Sequence, residues 1–115
     1  MLSPEMWQKL LAYTEDIHSR ERELLVKNNV TDTELTLGAF ASFVEEVGEF
    51  GSEIRKQMHM CYNRKKVEEA QLEDVYLEGM DVLISLLIVL KRFPAEGNLD
   101  GYLEEKIAKN RARGY

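Results

Sequence analysis

Glu78-Gly79-Met80-Asp81-Val82-Leu83-Ile84-Ser85-Leu86-Leu87-Ile88-Val89-Leu90 decides how this chain folds. After Asp81 the residues are apolar on nearly every side of a helix, with only Ser85 interrupting the run. A helix of that kind occupies the centre of a bundle or an interface between subunits. The run is far shorter than the roughly 18 apolar residues that suggest a membrane span. Glu78 and Asp81 are three positions apart and therefore share a face. They stand at the margin of a segment that should be buried, where charged groups need partners.

A second acidic stretch, Glu45-Glu46-Val47-Gly48-Glu49, lies inside another helical pattern. Leu37, Phe40, Phe43 or Val44, Val47, Phe50 or Gly51, and Ile54 mark its apolar stripe. Glu46 and Glu49 point the same way, and neither acidic stretch has an obvious lysine or arginine on its own face. Taken alone, Glu-Glu-x-x-Glu also reads as a solvated helix surface. Four carboxylates gathered from two helices would repel one another unless a cation sat between them. A divalent metal is the natural counterion. Gly48 and Gly51 are costly in a helix, by about 1 kcal/mol each relative to alanine, and suit close approach of another helix or a ligand.

Working outward, Ser3-Pro4-Glu5 is a helix start, with a capping hydroxyl, a first-turn proline and an acid at the positive end of the dipole. Trp7, Leu10, Leu11, Thr14, Ile17 and His18 continue it as a first helix over 4–26. Asn28-Asn29 ends that helix, and 31–36 supplies polar residues for a turn and a new cap. The second helix ends near Cys61. The charged stretch 63–69 is either an exposed connection or the start of the third long helix, which runs over 72–92. Positions 94–98 break that helix, and a short last one starts at Leu99 or Asp100 and ends near Arg113. The expected fold is all-α, a helical bundle of three long helices plus a short C-terminal helix, in one domain over 1–115.

Composition narrows the function. A chain of 115 residues suits one domain, and 44% hydrophobic with 31% charged residues marks it as globular rather than disordered. A net charge of −6 argues against a nucleic-acid polymer as partner, because phosphate backbones need a concentrated basic surface. It leaves room for a phosphorylated small molecule held through Mg²⁺, which bridges carboxylates to phosphates. Cys61 is the single cysteine, so neither an intramolecular disulfide nor a cysteine zinc site is available. No basic segment and apolar stretch of signal-peptide type stands at the N-terminus, so a cytoplasmic location is the default expectation. His18, His59 and Cys61 carry no specific chemical signal.

The Glu45–Glu49 and Glu78–Leu83 stretches, together with Lys106-Ile107-Ala108-Lys109-Asn110-Arg111-Ala112-Arg113, resemble the EExxE, ExxD and K-x-x-x-N-x-x-R motifs of the MazG-like all-α nucleoside triphosphate pyrophosphohydrolases. The resemblance covers the chain from about Leu37 to the C-terminus. It implies that Glu46, Glu49, Glu78 and Asp81 bind Mg²⁺, with Mn²⁺ able to substitute. Glu45 becomes a further ligand, a group bonded to one, or the base that activates water. The implied reaction cleaves a ribo- or deoxynucleoside triphosphate between the α and β phosphates, as in clearing unwanted nucleotides from the pool. Lys106, Asn110 and Arg113 share one helix face and become phosphate and sugar contacts, although basic groups near a helix C-terminus also serve the dipole. Trp7 either stacks on a base or packs in the core. A homodimer or homotetramer is expected. The alternatives are a phosphoribosyl-ATP pyrophosphohydrolase of the same superfamily and a non-catalytic helical interaction protein.

Overall fold

The structure, a computed structural model, describes residues 2–60, 63–93 and 99–114. The helix end expected near Cys61, the break expected over 94–98, and Tyr115 lie outside the described residues. All regular structure among the described residues is helical: α1 Pro4–Asn28, α2 Asp32–Gln57, α3 Arg64–Glu68, α4 Leu72–Lys91 and α5 Leu99–Ala112.

Local chemistry sets the helix limits. The Ser3 hydroxyl accepts the Met6 N–H at 3.1 Å, and Asn29 closes α1 in the left-handed region at φ 52°, where asparagine is tolerated. Thr31 then accepts the Glu34 N–H at 3.1 Å, so α2 begins at Asp32 and the polar residues expected to form a turn up to Thr36 are helical. The capping threonine, with Asp32 and Glu34 in the first turn, stabilises the positive helix end and overrides their turn tendency. Asn63 caps α3 by accepting the Lys66 N–H at 3.3 Å, which resolves the charged stretch into a five-residue helix of its own. With α5 at 14 residues, four of the five helices are long rather than three.

Helices α2 and α4 form the main packed pair and run antiparallel. The Phe50 ring lies against Gly79 at one end, and Arg92 bonds Asp32 and Thr36 at the other. Helix α1 packs on α4 in parallel, with Glu15 bonded to Lys91 and Glu21 facing Arg92 at 3.9 Å. Arg92, with its side chain only 2% exposed, thus ties α1, α2 and α4 together. Helix α5 packs against none of the other helices among the described residues.

The interior is thin. Leu87 is the one buried large apolar side chain among the described residues, accompanied by Thr14 and Ser85. Both hydroxyls are bonded to helix carbonyls three residues back, Thr14 to Leu11 and Ser85 to Val82. Leu77, Met80, Leu86 and Leu90 of α4 remain exposed, as do Leu37, Phe40, Val44 and Val47 of α2. The accessible surface of 9313 Å² compares with about 6,500 Å² for a folded monomer of this mass. No helix among the described residues is long and apolar enough to cross a membrane.

Candidate metal centre

The α2–α4 pairing brings the two acidic stretches together. Glu49 precedes Phe50 and Glu78 precedes Gly79, so the ring-on-glycine contact fixes the register at which the carboxylates meet. A Cβ built on Gly79 would sit 3.6 Å from the Phe50 ring, an ordinary contact that leaves no space for a larger side chain. Gly48 and Gly51, where a close neighbour was expected, meet no atom of this chain within 4 Å of such a Cβ. The close approach between helices falls on Gly79.

Glu46, Glu49 and Glu78 each offer a carboxylate oxygen, and these atoms lie within 4.8 Å of one another. One oxygen of Glu46 and one of Glu78 are buried without a hydrogen-bond partner. Burial raises both carboxyl groups above their ordinary value near 4.5. Neighbouring charges push the same way: Glu49, Asp81, Glu78 and Glu45 on Glu46, and Glu49, Asp81, Glu53 and Asp74 on Glu78. No lysine or arginine forms an ion pair with Glu46, Glu49, Glu78 or Asp81 among the described residues.

Asp81 stands outside the tight group of three with its side chain exposed, yet near enough to act on both buried carboxyls. Glu45 is exposed beside Glu46. Glu53 and Asp74 extend the acidic field by one turn on each helix, and neither was singled out by the motif reading. Their signal was present in the spacing: Glu53 follows Glu49 by four residues, and Asp74 precedes Glu78 by four. Lys56 neutralises Glu53 at 2.5 Å, which confines the uncompensated charge to the Glu46, Glu49 and Glu78 end.

The donor set is all hard oxygen, the set preferred by Mg²⁺, Mn²⁺ and Ca²⁺. Oxygens on opposite sides of a Mg²⁺ ion are about 4 Å apart, so a small inward movement of these side chains suffices. The residues fit a divalent cation. The predicted substrate contacts lie elsewhere in the single chain. Lys106, Asn110 and Arg113 sit on α5, where the Arg113 guanidinium donates to Asn110 at 2.8 Å, and α5 does not pack against the carboxylate-bearing helices. Trp7 lies in the first turns of α1 and is 37% exposed.

No protein family, curated protein or solved structure matches this chain. The geometry therefore carries the functional reading.

Proposed function

We propose that this protein hydrolyses a nucleoside triphosphate between its α and β phosphates, releasing the monophosphate and pyrophosphate, with Mg²⁺ as cofactor. The observation that carries the reading is the convergence of Glu46, Glu49 and Glu78, with two buried oxygens that lack any partner. Glu46, Glu49 and Glu78 hold the cation, and Asp81 completes its surroundings from the margin. A divalent cation supplies neutralisation of phosphate charge and a lowered pKa for bound water. Glu45, exposed beside Glu46, accepts the proton from the attacking water. Water oxygen bonds to phosphorus as the bond to the bridging oxygen breaks, and pyrophosphate leaves. The scheme needs no nucleophilic side chain.

The active form is a homodimer or homotetramer. Supporting this is an accessible surface of 9313 Å², nearly half as much again as the roughly 6,500 Å² of a compact monomer. Leu37, Phe40, Val44 and Val47 form an exposed stripe on α2 at alternating three- and four-residue spacing. This is the seam pattern by which helices of separate chains pack. Because α5 is unpacked within its own chain, Lys106, Asn110 and Arg113 reach the triphosphate only on assembly.

The test is release of pyrophosphate from a panel of ribo-, deoxy- and modified nucleoside triphosphates with Mg²⁺. Stoichiometric monophosphate and pyrophosphate from at least one substrate is expected. No turnover across the panel would refute the reading.

A further inference from the structure

On the other side of α4 from the carboxylates lies a cavity of about 350 Å³ between α1 and α4. Leu87, in its wall, follows Glu78 by nine residues, which is two and a half helical turns and therefore the opposite face. Leu11, Leu87, Leu90 and Phe93 supply an apolar lining. His18, Arg22 and Lys91 stand at one end and also line an adjoining cavity of about 230 Å³ that reaches Asp32 and Arg92. Apolar walls with a few converging polar groups are the ordinary construction of a small-molecule site, and this volume is in the usual range.

The charges indicate which ligand it takes. Each carboxylate around the two cavities already has a cation: Glu15 is bonded to Lys91, while Asp32 and Glu21 are paired with Arg92. Arg22 has no ion-pair partner among the described residues. His18 Nδ1 is buried without a hydrogen-bond partner. His18 and Arg22 are four residues apart on α1 and so present both groups to the same space. We infer that this cavity is a second ligand site, separate from the carboxylate centre, for a small carboxylate with a compact apolar body. The ligand's body lies against Leu87, Leu90 and Phe93, and its carboxylate accepts from Arg22 and His18 Nδ1. The free guanidinium and the orphaned imidazole nitrogen both acquire the partner they lack.

Phenylacetate is a suitable probe, with phenylacetamide as its uncharged counterpart, each titrated into the full-length protein and followed by NMR. Saturable shifts of the His18, Leu87 and Phe93 resonances are expected with phenylacetate, with affinity about tenfold above that for phenylacetamide. Arg22→Gln should lower phenylacetate affinity to that of the amide, and His18→Gln should weaken it less. Glu46→Gln, on the far side of α4, should bind phenylacetate as the parent does. Absence of saturable shifts, equal affinity for acid and amide, or shifts centred on α5 or the carboxylates would overturn the inference.

Discussion

The Phe50 ring packs on the bare backbone of Gly79, and this contact sets how far Glu49 and Glu78 stand apart. A Cβ at Gly79 would be 3.6 Å from the ring, so alanine fits without displacement. In a helix interior alanine is favoured over glycine by about 1 kcal/mol. Gly79→Ala is therefore expected to raise the thermal midpoint while preserving cation binding. Gly79→Leu should displace Phe50, separate the carboxylates and weaken cation binding, which calorimetric titration would report.

The raised carboxyl groups of Glu46 and Glu78 define a pH dependence. A carboxyl whose folded-state pKa lies above its unfolded value near 4.5 is protonated more readily in the folded chain. Its destabilising effect is complete above the raised value and disappears as pH falls toward the unfolded one. In chelator, the thermal midpoint should rise as pH is lowered from 8 to about 5. Excess Mg²⁺ should flatten that slope, because a bound cation compensates the ionised carboxylates. Glu46→Gln should also flatten it, without metal.

Arg92 is the most consequential tie in the fold. Its buried side chain meets Glu21 on α1 and Asp32 and Thr36 on α2. Burial already raises the Glu21 carboxyl despite the neighbouring guanidinium. Arg92→Leu would leave Glu21 unpaired and should cost about 3 kcal/mol in urea unfolding. Combining it with Glu21→Leu should recover part of that loss, since both charged partners are then gone.

Assembly through α2 predicts that Phe40→Glu and Val44→Glu lower the particle mass in light scattering, with helical content retained. Both side chains are about half exposed in the single chain, so neither change disturbs packing within it. The parent should be at least dimeric. A monomeric parent, or variants of unchanged mass, would remove α2 from the interface.

Much of this arrangement was legible in the sequence because it is local. Ser3 and Asn29 bound α1 through hydrogen bonding and backbone preference, and helical spacing put Glu46 with Glu49 and Glu78 with Asp81. The meeting of Glu46 and Glu49 with Glu78 is not local. It depends on the α2–α4 register, which Phe50 and Gly79 fix across the interface. The α2 start at Asp32 was obscured because threonine and aspartate favour both turns and helix caps. The exposed apolar face of α4 and the separation of α5 depend on packing partners, which helical periodicity does not specify. His18 carried no motif at all; its meaning comes from a buried nitrogen beside a cavity.

Mn²⁺ binding followed by electron paramagnetic resonance tests the carboxylate centre most directly. The parent protein should bind Mn²⁺ saturably, Mg²⁺ should displace it, and Glu46→Gln or Glu78→Gln should weaken binding by at least about tenfold. A parent protein that leaves Mn²⁺ free in solution, or variants that bind it as tightly as the parent, would contradict the assignment of Glu46, Glu49 and Glu78 as a cation centre.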